Sequence, residues 1–168
     1  MLIHSDDNIL LRHITLGDAD FILDLYNQPA FKRFIGDRGV NDLQSAKDFI
    51  TKTQGHYQQH GFWLYLVEDK TSGESLGVNG LVQRPYLNAP DIGFAISEQY
   101  WGQGFAYESS LAVLEHAKTL HLPEVLAITS PDNSSSVNLL VKLGFSDQGI
   151  QLIPDTNEEV TLYRHTLT

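Results

Sequence analysis

The chain has 168 residues, 42% of them hydrophobic and 19% charged, with a net charge of -10 and no cysteine. One globular domain spanning residues 1–168 is expected, while disulfides, thiolate metal sites and a cysteine nucleophile are excluded. No run approaches the roughly 18 apolar residues a membrane helix needs. The acidity argues against nucleic acid as a partner and suits a cationic one, with plain solubility as the alternative. Residues 1–7 carry neither the basic start nor the apolar stretch of a secretory signal, so a cytoplasmic location is expected.

In chain order, residues 9–14 read as a first strand. Thr15, with Asp18 three positions on, resembles a capping box that opens a helix through about Tyr26. Asn41 or Asp42 caps a second helix whose buried stripe is Leu43, Ala46, Ile50, Thr53 and Tyr57. The period then changes: residues 62–67 and 76–82 are β-rich runs joined across 69–73 as an antiparallel hairpin. Residues 91–96 form another strand, with Ile92, Phe94 and Ile96 on one face and the small Gly93 and Ala95 on the other.

A helix begins near Gly104 and carries Ala106, Ser110, Val113, Ala117 and Leu120 at steps of four and three, a face of mostly small residues that allows close approach to a sheet. It ends before Pro123, and residues 125–129 make the next strand, parallel to 91–96 through a right-handed crossover. Asn133 caps a shorter helix bearing Val137, Leu140 and Val141, which Gly144 ends as the left-handed residue. Residues 145–152 and 159–167 are closing strands. The expected class is α+β: a single mixed, mostly antiparallel sheet of about seven strands with about four helices.

The turn Trp101, Gly102, Gln103, Gly104, Phe105, Ala106 joins a strand to a helix N-terminus, where unpaired N–H groups and the helix dipole favour an anion such as a phosphate. Glycines suit close approach of a pyrophosphate; a tight turn with glycines for geometry alone is the rival reading. The lysine and Ser/Thr of a P-loop are missing, and the G-x-G-x-x-G spacing of a dinucleotide site is absent. His56 and His60, four apart, lack a third ligand and read as a polar helical face, so no metal is expected.

The segments DIGFAISEQYWGQGFAYESSLAVLEHA and TSPDNSSSVNLLVKLGF, with LRHITLGDADFILDLYNQPAFKRFIG near the start, resemble the GNAT superfamily of N-acetyltransferases and, within it, the ribosomal-protein N-terminal branch (RimJ/RimL type). The resemblance spans nearly the whole chain. It implies acetyl-CoA as co-substrate, with the backbone of Gly102, Gln103, Gly104, Phe105 and Ala106 on the pyrophosphate. Phe94, Ala95 and Ile96 would pair by main chain with the pantetheine, and Asn133 would hydrogen-bond it, a plain helix N-cap being its other reading. The strand ending at Ile96 should splay from residues 125–129 to open the slot. Gln103 stands where the branch commonly has lysine, so one cationic phosphate contact is missing. Leu140 stands where much of the superfamily has its tyrosine proton donor.

Acetyl transfer needs a neutral nitrogen, a stabilised oxyanion and a proton for the thiolate. The oxyanion is assigned to backbone N–H near Ala95. Ser136, which matches the branch's serine beside the cofactor sulfur, is the expected donor, with a solvent-facing helix serine as the alternative. Asp91 matches the branch's acid at the head of the central strand and is the expected base, through a water, with a solvated strand-end acid as the alternative. Glu108 is read as a capping carboxylate of the long helix. Phe34 and Trp63 either line the acceptor pocket or belong to the core.

A protein N-terminal α-amine is the easier acceptor, because its reference pKa is about 7.7–8.0 against about 10.4 for lysine. A basic protein's N-terminus is therefore the expected partner of a monomer or homodimer. A small cationic amine, such as a polyamine or aminoglycoside, and a non-catalytic CoA-binding module are the alternatives.

Overall fold

The computed structural model describes residues 1–167. Eight strands form one sheet: β1 (Leu2–Ser5), β2 (Ile9–His13), β3 (Leu64–Asp69), β4 (Ser75–Val82), β5 (Asp91–Ile96), β6 (Glu124–Thr129), β7 (Ser146–Leu152) and β8 (Glu159–Thr166). Their order is β1-β2-β3-β4-β5-β6-β8-β7, antiparallel throughout except for the parallel neighbours β5 and β6. The helices are α1 (Ala19–Tyr26), α2 (Pro29–Phe34), α3 (Leu43–His60), α4 (Phe105–Thr119) and α5 (Ser134–Lys142).

The sheet is mixed and mostly antiparallel as expected, with one strand and one helix more than the sequence announced. β1 is four residues long and pairs with β2 through an irregular register, so it carries no readable alternation. α2 is a six-residue helix with Pro29 in its first turn, where the missing N–H costs nothing. At Thr15 the expected box opens a 3-10 turn, Leu16–Asp18, before α1; the Thr15 N–H donates to the Asp18 carboxylate at 2.8 Å. Asp42 caps α3 by accepting from the Ser45 N–H at 2.8 Å; the buried stripe is Ala46, Ile50, Thr53 and Tyr57, while Leu43, expected in it, is 41% exposed in the first turn of the helix.

Strand alternation puts a core on each face of the sheet. Tyr65 and Val67 of β3 join Ile92, Val125 and Ala127 beneath α4 and α5, while Leu66 between them joins Val78 against α1 and α3. α4 lies close to the sheet because Ser110, Val113 and Ala117 face it. The Asn79 amide of β4 donates to the hydroxyls of Ser109 (2.8 Å) and Ser110 (3.0 Å) across that close contact, while its own Oδ1 is buried without a partner.

Two histidines are built into the first core's edge. The His13 ring stacks on Tyr57 at 3.9 Å, and His116 Nε2 meets the Tyr65 hydroxyl at 2.9 Å. Burial holds both imidazoles below the usual histidine range. A depressed histidine favours the neutral form in the fold, so its contribution is present above about pH 6.5 and is lost as pH falls through the folded value. Urea midpoints measured between pH 7.5 and 5 should therefore fall more steeply for the wild type than for His116→Gln; parallel slopes would remove His116 from acid sensitivity.

Candidate active site

β5 and β6 touch at one register position, Asp91 opposite Leu126, with the Leu126 N–H donating to the Pro90 carbonyl at 2.9 Å. Beyond Asp91 the two strands have no further paired residues, and the gap between them is the expected splay. On its other side β5 stays paired with β4 along its whole length. The Ser97 N–H donates to the Leu76 carbonyl, so Ala95, Gly93 and Asp91 also direct their backbone groups toward β4. Ile92, Phe94 and Ile96 then face the gap. Two contacts agree with this phase: Pro90 bonds β6, and the Ile96 carbonyl accepts from the Trp101 indole at 2.7 Å. The backbone donors available to a ligand in the gap are thus the N–H groups of Phe94 and Ile96. This corrects the placement near Ala95, whose own N–H belongs to the β4 side.

The gap leads into two adjoining cavities of about 540 Å³ and about 360 Å³. Phe94, Ala95, Asn133 and Ser136 border both, as do Phe31 and Phe34 of α2. The larger runs to the start of α4 and is lined by Ile96, Gly102, Gly104, Phe105 and Ala106 among others. Gln103 alone of the expected cofactor residues does not line it and is exposed.

Gly102 (φ 78°) and Gly104 (φ 85°) are both left-handed, and no side chain caps α4. The first helical bond at this end is from the Glu108 N–H to the Gly104 carbonyl, which leaves the preceding N–H groups of the turn to a ligand. A Cβ added at Gly104 would meet no protein atom within 4 Å and would project into open space at a residue that lines the larger cavity. Such a turn fits an anionic diphosphate. Glu108 Oε1 accepts from the Asn8 amide at 3.3 Å and its Oε2 is buried without a partner, tying the first turn of α4 to the β1–β2 turn. Lys142 Nζ stands 4.1 Å from the ring centroid of Tyr107, a lining residue, and brings a cation beside the groove that the sequence reading did not single out.

At the junction of the cavities, the Asn133 carboxamide oxygen accepts from the Ser136 N–H at 3.3 Å, which is the N-cap of α5. Its amide N–H groups bond no described residue, so the same side chain has a donor to spare. Ser136 is half-buried, and Leu140, one turn on, is 2% exposed within the core. The hydroxyl at this point of α5 is therefore that of Ser136.

Asp91 lines the smaller cavity and is 1% exposed, not a solvated strand-end acid. Both its oxygens accept from Arg84 Nε at 3.1 Å. Burial pushes its carboxyl up to about 6, opposed by the Arg84 charge and hydrogen bonds. Were Asp91 the base, activity should rise with pH through a limb near 6. Arg84→Gln should move that limb upward, since only the opposing influence is removed, and Asp91→Asn should abolish it. A limb unmoved in Arg84→Gln would assign it to another group.

Trp63 lines the smaller cavity and stacks on His56 at 3.8 Å; Phe34 lines both cavities. Ring stacking accounts for His56 and His60, and among the described residues no three metal-ligating groups converge. The smaller cavity also receives Tyr26, Arg38, Arg84 and Glu158, which the sequence reading passed over. Its charges are two cations, Arg38 and Arg84, and two anions, Asp91 and Glu158, so the chain's negative surplus is not concentrated here.

The family model described as an acetyltransferase (GNAT) domain matches residues 8–146. The chain belongs to the GNAT acetyltransferases. This GNAT chain is 28% identical over 147 residues to the uncharacterized N-acetyltransferase YoaA of Bacillus subtilis (strain 168), covering 86% of this chain and 82% of that one. To the [ribosomal protein uS5]-alanine N-acetyltransferase of Escherichia coli (strain K12) it is 30% identical over 97 residues, 56% of this chain and 50% of the relative. The fold matches that of RimL, a ribosomal L7/L12 α-N-protein acetyltransferase solved in complex with coenzyme A, at a TM-score of 0.83 with 17% identity, covering 99% of this GNAT chain and 98% of RimL. No helix of the described residues is long and apolar enough to cross a membrane.

Proposed function

We propose that this acyltransferase moves an acetyl group from acetyl-CoA to a primary α-amino group, as at a protein N-terminus, by direct attack on the thioester. The observation that carries the reading is the gap beyond Asp91, which joins the glycine turn of α4 to the smaller cavity through Phe94, Asn133 and Ser136. Pyrophosphate lies on the turn's free N–H groups, and pantetheine lies along Phe94 and Ile96 in place of a strand. The amine enters from the smaller cavity. Its nitrogen lone pair forms the C–N bond, and a backbone N–H of Phe94 or Ile96 steadies the oxyanion. The C–S bond then breaks, and the departing thiolate takes the Ser136 hydroxyl proton, which solvent replaces. Asp91, through a water, receives the proton the nitrogen loses. An α-amine needs the least help in becoming neutral, which suits a base held near 6.

RimL and the uS5-alanine enzyme, named for action on ribosomal proteins, support an N-terminal acceptor. A polyamine or aminoglycoside draws support from the net charge of -10, but not from a cavity with balanced charges. A purely CoA-binding module would leave Ser136 at the junction without a use. The test is thiol release from acetyl-CoA with N-terminal peptides, polyamines and aminoglycosides in parallel. Release with α-amino peptides is expected. Release with polyamines or aminoglycosides alone would replace the acceptor class.

A further inference from the structure

The smaller cavity has an aromatic wall made of Tyr26, Phe31, Phe34, Phe49, Trp63 and Phe94. Tyr26 packs against Phe31 at 4.2 Å and Phe49 at 4.9 Å and is only 5% exposed. Its hydroxyl nevertheless bonds no described residue. Among the described residues, the side-chain polar atoms that are fully sealed and unpartnered are His56 Nδ1, Asn79 Oδ1 and Glu108 Oε2, and the Tyr26 hydroxyl is not one of them. With its ring enclosed, the access left to that oxygen is the cavity the residue lines. A hydroxyl in an apolar wall that finds no protein partner is a site for a ligand's polar atom.

Arg38 also lines this cavity. Its guanidinium donates to the Ile35 carbonyl at 3.1 Å and has no carboxylate within ion-pair distance among the described residues. The other cation, Arg84, is already matched by Asp91, while Arg38 and Glu158 are both exposed to solvent, where their fields are screened alike. Uncommitted donors bordering the cavity include the Tyr26 hydroxyl, the Asn133 amide N–H groups and the Arg38 guanidinium, all suited to an oxygen acceptor. The buried carboxylate of the cavity, Asp91, is already paired with Arg84, which leaves no buried anion free for a second ammonium. At about 360 Å³ the space lies near the lower end of small-molecule sites, roughly 300–1,000 Å³.

We propose that this cavity selects α-amino acceptors whose first side chain is uncharged and apolar or aromatic, with Tyr26 and Arg38 holding the adjacent carbonyl or carboxylate oxygen. The inference rests on the α-amine reading above and names its substrate class. It turns the choice away from the cationic acceptors suggested by the net charge, because specificity is set by groups that touch the acceptor and net charge acts at long range. The oxygen can belong to a free amino acid's carboxylate or to a peptide's first carbonyl; Arg38 favours the former more than Tyr26 does.

The experiment compares phenylalanine, phenylalaninamide, 2-phenylethylamine and spermidine, by thiol release from acetyl-CoA and by calorimetric binding to the CoA-loaded protein. Phenylalaninamide should bind at least about tenfold more tightly than 2-phenylethylamine, which lacks the oxygen, and than spermidine, which lacks the ring. Tyr26→Phe should shrink the first ratio toward unity by raising KM for the amide with kcat little changed. Arg38→Gln should weaken phenylalanine more than phenylalaninamide. Equal binding of all four, tighter binding of spermidine, or an undiminished ratio in Tyr26→Phe would overturn the proposal. Selective binding of phenylalaninamide without thiol release would keep the subsite and remove the α-amine transfer reading.

Discussion

Replacing Gly104 should abolish acetyl-CoA binding in a chain that still folds. The residue sits at φ 85° as the N-cap of α4, and an added Cβ meets nothing of the protein. Side-chain bulk there is therefore felt first by what the turn binds. Valine would also strain the backbone, by about 1–2 kcal/mol or more in the left-handed region, so Gly104→Val alone would leave two explanations. Asparagine tolerates that region and still projects atoms into the space before the turn. Both variants should lose at least about 100-fold in acetyl-CoA affinity by calorimetric titration, roughly 2.7 kcal/mol, and Gly104→Asn should melt within a few degrees of the wild type. If Gly104→Asn kept its affinity, the glycine would serve backbone geometry and the diphosphate would lie elsewhere.

Ser136→Ala should lower kcat by the order of 10²-fold, as expected for loss of a general acid, while acetyl-CoA affinity changes little. The α5 N-cap survives the substitution because Asn133 accepts from the Ser136 backbone N–H, not from the hydroxyl. Leu140, where a tyrosine donor stands in much of the superfamily, is sealed in the core and supplies no alternative. Single-turnover kinetics with saturating acetyl-CoA would isolate the chemical step. A loss under about threefold would remove the serine from the proton path.

The parts legible in the sequence were those that a short stretch specifies by itself. The alternation of Ile92, Phe94 and Ile96 fixed β5 to the residue, and the small face of Ser110, Val113 and Ala117 announced the helix packed against the sheet. Asn133 before three serines was readable as a cap because capping is a contact three residues long. β1 and α2 were missed because neither is long enough to show a period.

The acceptor side was hardest to read. Tyr26 comes from α1, Arg38 from the segment after α2, Arg84 from the β4–β5 connection and Glu158 from the turn before β8, and no local pattern links them. Asp91 could be read from the sequence as a base or as a solvated strand-end acid, and its burial was hidden for the same reason. Its carboxylate is met by Arg84 returning across a loop, and sequence gives no sign of which group an arginine in such a loop will meet. The direction of the N–H near Ala95 was a further case, since the phase of a strand's hydrogen bonds is set by its neighbour's register.

The most direct test is to mix the protein with acetyl-CoA and a peptide bearing a free N-terminus and an apolar first residue, following thiol release while mass spectrometry locates the acetyl group. The gap beyond Asp91 predicts thiol release matched one to one by acetyl on the peptide's α-nitrogen, with no acetylated form of the protein accumulating. Tight binding of acetyl-CoA with no thiol released to any amine, or an acetyl group resting on the protein before it reaches the peptide, would contradict direct transfer in that gap.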